Sequence, residues 1–169
     1  MYSLGRRDLT GMVAPKLVQM IEDHWDSISA RTLRRIRNCV DMPHLKDMPE
    51  SDLQLISQRT LHNLSHWLHN DPDVEIARRY EEVGQQRFRD GMPLCEAVRG
   101  IQLVKESTLD FVRDQGFAST SVEILAEEEL EHRLGRFFDM LIFHLVKGYE
   151  DAMRKAIALA AKAAAVAGR

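Results

Sequence analysis

Cysteine is nearly missing from this chain. Only Cys39 and Cys95 occur in 169 residues, too few for a disulfide framework and typical of reduced thiols in a cytoplasmic protein. Neither has a neighbouring motif that would make it a nucleophile, so both read as small core or near-core residues. A long hydrophobic run is missing too. The most apolar stretch, "FFDMLIFHLV" from Phe137 to Val146, contains Asp139 and His144 and falls short of the roughly 18 apolar residues that span a bilayer. The N-terminus has no apolar signal core followed by a small-residue cleavage site. Charge of one sign is not in excess: the formal net charge is −3, which gives no global pull toward nucleic acid or acidic lipid. Glycine-rich phosphate loops, Gly-x-Ser-x-Gly elbows, Cys-x-x-Cys pairs and kinase signatures are absent from the sequence. These absences lead to an expectation of no enzyme activity, no cofactor, no membrane span and no nucleic-acid partner.

What remains is a helical sequence. Hydrophobic residues make up 44% and charged residues of both signs 29%, the balance of a globular domain of ordinary size. No segment alternates apolar and polar residues as a strand would, whereas spacings of three and four recur almost throughout. The pattern predicts a first helix from about Pro15 to Cys39, carrying Leu17, Ile21, Trp25, Ile28, Leu33, Ile36 and Val40 on its apolar stripe. "DMPHLKDMPE" reads as a loop. A second helix is expected from about Ser51 to His69, with Asp71-Pro72 ending it and starting a third that Gly91 ends. Pro93 starts a fourth, closed by Gly116.

The last helix starts at a capping box, Thr120 with Glu123 three residues on, and has no obvious stop from Ser121 to about Ala165. That is roughly 65 Å of helix, against a diameter of roughly 40 Å for a compact domain of this size. Its tail, "AIALAAKAAAVAGR", should therefore project. The expected organisation is one domain over residues 1–153 and a helical connector over 154–169.

Within the last helix, "RFFDMLIFHLV" is apolar on nearly every side. One domain normally covers one stripe of a helix, so a second copy of the chain is the expected partner. Phe137, Phe138, Leu141, Leu145, Tyr149 and Met153 form the expected homodimer interface, with His144 as a polar device fixing register. Gly135 and Gly148 flank the stretch and would allow close backbone approach. A central helix buried within one subunit is the alternative.

The other polar groupings are less specific. His62, His66 and His69 fall on one stripe of the second helix if it is continuous, a spacing that can hold zinc but that more commonly makes a solvated face. Glu129 and His132 supply one Glu-x-x-His pair where a diiron bundle needs two. Arg31, Arg34, Arg35 and Arg37 read as a solvated basic face.

"YEEVGQQRFRDGMPLCEAVRGIQLVKESTLDFV" followed by "LEHRLGRFFDMLIFHLVKGYEDAM" resembles the N-terminal sensory domain of RsbR/RsbRD-type stressosome co-antagonists, related to domains at the head of some bacterial histidine kinases. The resemblance runs from about Leu17 to Met153, and its most distinctive residues are Gly84, Gly91, Pro93 and Leu94. It implies an all-α, globin-like helical bundle that pairs through its last two helices. It also implies a signal passed through the C-terminal helix to a downstream signalling module or partner protein, in response to an unidentified small ligand, partner or physical cue. The same corner is similar to the proximal region of haem-binding globin-coupled sensors, in which a histidine lies four residues before the turn glycine. Here that position is Arg87. A guanidinium offers iron no lone pair, so the resemblance implies a non-haem sensor; Arg87 itself reads as a surface or helix-end residue pairing with Glu81, Glu82 or Asp90, with a ligand-contacting role as the alternative. A haem-based gas sensor and a metal-binding helical protein on the three histidines are the rival readings.

Overall fold

A computed structural model describes residues 6–62, 64–69, 74–116 and 119–167, with side chains described from residue 15 onward except that of His69. The described residues form eight helices and no strand: α1 (Arg6–Asp23), α2 (Trp25–Asn38), α3 (Pro43–Asp47), α4 (Glu50–Leu61), α5 (Leu64–His69), α6 (Val74–Arg89), α7 (Leu94–Asp114) and α8 (Ser121–Ala167). This is the expected all-α bundle with a long C-terminal helix.

Two expected helices are broken. The first divides at His24, whose backbone (φ −118°) leaves the helical region. Both its main-chain N–H and its ring Nδ1 converge on the Met20 carbonyl, at 3.1 and 2.9 Å. The second divides after Leu61, with His62 outside either piece. Neither break has a proline or glycine to announce it. Pro15 lies inside α1 instead of opening a helix, and the expected loop after Val40 contains α3, with Pro43 in its first turn. Val40 and Cys95 are exposed, against the expectation that each is in or near the core; Cys39 is half-buried against it.

The corner between α6 and α7 forms as its residues require. Gly91 takes φ +71°, a left-handed conformation open to glycine at little cost. Met92 N–H then reaches the Arg87 carbonyl and Gly91 N–H the Phe88 carbonyl, each at 3.0 Å, which closes the orphan carbonyls of the helix end. The capping box also forms, with Glu123 accepting from Thr120 N–H at 2.9 Å and Thr120 Oγ1 accepting from Glu123 N–H at 3.3 Å.

α8 runs through the centre of the bundle. Ala126, Leu130, Leu134, Phe137, Phe138, Leu141, Leu145 and Gly148 are its buried positions, spaced by one, three or four residues. α6 packs along it most extensively, and α1 and α7 cover it elsewhere. Phe137, Phe138, Leu141 and Leu145 are at most 5% exposed within their own chain, which corrects their assignment to a contact between copies. The belt is apolar on many sides because several helices of one subunit surround it. At 47 residues α8 is roughly 70 Å long, and every described residue from Met153 onward is exposed.

The basic face of α2 is a brace rather than a free patch: Arg31 pairs with Asp114 and Arg35 with Asp110, both on α7.

Candidate functional site

The α6–α8 crossing brings two backbones into contact. A Cβ built on Gly84 would lie 2.0 Å from the Leu145 carbonyl oxygen, and one on Gly148 would lie 1.9 Å from that of Glu81. The reason foreseen for Gly148, close approach, holds, but the neighbour is α6 of the same chain. Gly135 meets nothing within 4 Å. Around the crossing, Glu81 accepts from Lys147 Nζ at 2.6 Å and lies 2.9 Å from His144 Nδ1. These two bonds hold its carboxyl below the usual carboxylate range. His144 is thus occupied inside the subunit, which corrects its reading as a register device between copies. Tyr149 donates its hydroxyl to the Met92 carbonyl at 3.0 Å, and its ring meets Phe88 edge-on at 5.3 Å. The corner after α6 is thereby tied to the outgoing half of α8.

Beside the crossing lies a cavity of about 60 Å³. A buried water needs roughly 10–15 Å³ on this measure, so the space admits several waters or a small organic body. Its walls come from α2, α4, α6 and α7, with Leu45 of α3 and with Phe138 and Leu145 of α8. Most of the wall is aliphatic; the polar exceptions include Thr32, Ser57, Thr60, Tyr80 and Arg87.

Four of the five hydroxyl protons there are committed, that of Ser29 being the exception. Thr32 donates to the Ile28 carbonyl at 2.9 Å and Ser57 to that of Leu53 at 3.2 Å. Thr60 donates to the Ile56 carbonyl at 2.9 Å, so in the 2.6 Å contact between Tyr80 and Thr60 the tyrosine must be the donor. Burial pushes the Tyr80 phenol up to about 12. A phenol raised in the folded state stabilises the fold fully below the unfolded value of 10.0 and loses that contribution as pH rises toward about 12. Over that interval the wild-type chain is expected to lose about 2–3 kcal/mol from this group, and Tyr80→Phe to show a correspondingly flatter alkaline slope in urea unfolding. Equal slopes would contradict the burial argument.

Arg87 differs from its expected place. Its side chain is only 17% exposed, with one ion pair among the described residues, Arg87 Nη1 to Asp90 Oδ2 at 3.7 Å. Asp90 is one of the expected partners, but the side chain stands in the cavity wall instead of on the surface. Burial lowers its pKa, while Asp90 and Asp52 act to raise it. Of the turn residues, Gly84 serves the crossing, Gly91 the corner, and Pro93 the N-terminus of α7. Nothing local announced Ser57, Thr60 and Tyr80 as the rest of the site: Tyr80 lies between Arg79 and Glu81, and Ser57 and Thr60 enclose Gln58 and Arg59.

The expected stripe of three histidines lies partly outside the described residues. The break after Leu61 separates His62 from His66 on α5, and the side chain of His69 lies outside the described residues. Among the described residues no three His, Cys, Asp or Glu side chains converge as a metal-holding group, and no helix is long and apolar enough to cross a membrane.

Residues 26–163 match the family model of the RsbT co-antagonist protein rsbRD N-terminal domain. No curated protein and no solved structure matches the chain.

Proposed function

The chain belongs to the family of RsbT co-antagonist rsbRD N-terminal domains, and from that premise we propose that it is the sensory input domain of a stressosome-type regulator. It is a non-haem, non-enzymatic, globin-like domain of the cytoplasm that relays occupancy of its cavity through α8 to a downstream module. One observation carries this reading: Phe138 and Leu145, which wall the cavity, lie on the helix whose far end leaves the domain. An occupant that fits one α6–α8 geometry better than another stabilises that geometry by its difference in affinity. Because the two backbones interlock at Gly84 and Gly148, the response open to them is a discrete slide or rotation of α8. A haem reading has less support, since Arg87 stands where the ligand would be needed and α6 contains no histidine.

The homodimer belongs to this proposal with a different face. Phe143 and Ile157 are 63% and 62% exposed and Met153 38%. At 100° per residue they occupy a sector of about 80° on α8. A second copy would cover that stripe. Light scattering is expected to give twice the chain mass of 19.4 kDa, and Phe143→Glu with Ile157→Glu to give the monomer mass. A wild-type chain that stays monomeric at high concentration removes the dimer.

The relay is tested with a spin label at Ala160→Cys, in a chain whose Cys39 and Cys95 are replaced by serine. Ser57→Leu, which fills the cavity in place of an occupant, is expected to shift the label-to-label distances between copies. Superimposable distributions would contradict the relay.

A further inference from the structure

The cavity wall has an asymmetry that restricts its occupant. Thr32, Ser57, Thr60 and Tyr80 have each spent their hydroxyl proton, which leaves the neutral Ser29 hydroxyl and the charged Arg87 as the wall's donors. Arg87 has not spent its donors: its single ion pair among the described residues is 3.7 Å long, beyond charge-assisted hydrogen-bond distance, and its guanidinium makes no hydrogen bond to any of them. Asp52 and Asp90 are exposed, so water screens their attraction. A guanidinium held mostly out of water with unused donors favours a partner that brings acceptors and negative charge. Most of the remaining wall is hydrocarbon, which favours an apolar body.

We propose that the cavity takes a small amphipathic anion, a short monocarboxylate whose head pairs with Arg87 and whose few carbons lie against Leu33, Ile36, Ile56, Val83 and Ile101. This rests on reading the cavity as the sensory site, and it names the ligand class. The carboxylate accepts two N–H bonds from the planar guanidinium in the fork geometry that arginine offers. Size limits the chain: the cavity volume equals about four to six waters, enough for a short acid and too little for a long acyl chain without expansion. The acid's tail would reach Phe138 and Leu145, so chain length as well as charge would be read by α8.

Calorimetric titration of the full chain with butanoate, hexanoate, octanoate, hexanamide, hexanol, inorganic phosphate and chloride tests this at fixed ionic strength. Saturable binding of a short acid, with hexanamide and hexanol weaker by roughly tenfold or more, is the expected result. Arg87→Met should lose the acid by a similar factor while its thermal unfolding stays near wild type, and Arg87→Lys should fall between. Hexanol binding as well as hexanoate, or Arg87→Met binding as well as wild type, overturns the anionic head. Phosphate or chloride binding more tightly than every acid overturns the amphipathic ligand in favour of a bare anion. If no acid binds, the ligand class is wrong. The sensory reading then stands or falls separately on whether Ser57→Leu shifts the Ala160→Cys label distances.

Discussion

Gly148→Ala is expected to destabilise the domain more than any other single-methyl change, by roughly 3 kcal/mol or more. The added Cβ would sit 1.9 Å from the Glu81 carbonyl oxygen and 2.6 Å from both its carbonyl carbon and its Cα. All three are backbone atoms, so no rotamer change relieves the overlap; α6 and α8 must separate. Separation lengthens the bonds from Lys147 and His144 to Glu81 and loosens the Phe88–Tyr149 contact. For a chain of this size the melting temperature should fall by on the order of 10 °C. Gly135→Ala is the internal control. It lies on the same helix with nothing within 4 Å of its would-be Cβ, and removing a helix-interior glycine there should stabilise by about 0.5–1 kcal/mol. Urea unfolding followed by circular dichroism reads both variants. If Gly148→Ala proves as harmless as Gly135→Ala, the interlocked crossing and the relay built on it are wrong.

Phe138→Ala is the second large effect. Phe138 is fully buried, meets Phe137 edge-on at 5.3 Å and walls the cavity. Truncating a fully buried phenylalanine costs about 3–5 kcal/mol, transfer and cavity contributions together. The loss should be the same at every protein concentration, because the contacts removed belong to one subunit. A loss that vanishes on dilution would instead return Phe138 to a contact between copies, since only an intermolecular contribution depends on concentration. Phe143→Ala gives the contrast: at 63% exposed it should change unfolding little and association more.

The histidines and the apolar belt show where periodicity stops being informative. Placing His62, His66 and His69 on one stripe required an unbroken helix, and the break after Leu61 comes without proline or glycine. The belt required knowing how many neighbours α8 has. Hydropathy reports how much of a helix circumference avoids water, and it is silent on whether the cover comes from one chain or two. The same silence explains Arg87. Its charge and its missing lone pair are properties of the residue type, legible at once; its place in the wall of a cavity depends on α2, α4 and α7 arriving from elsewhere.

Local physics fixed in the sequence therefore determined the helical class, the left-handed corner at Gly91, the capping box at Thr120 and Glu123, and a final helix too long for its own domain. Each follows from contacts within a few residues or from length alone. Tertiary structure decided the rest: that Gly84 and Gly148 each lie against the other helix's backbone within one subunit, that Phe138 is core, and that Tyr80, Thr60 and Arg87 share a cavity. Those outcomes join residues some 20 to 70 positions apart, and such pairings are set by the packing of whole helices, which no local pattern encodes.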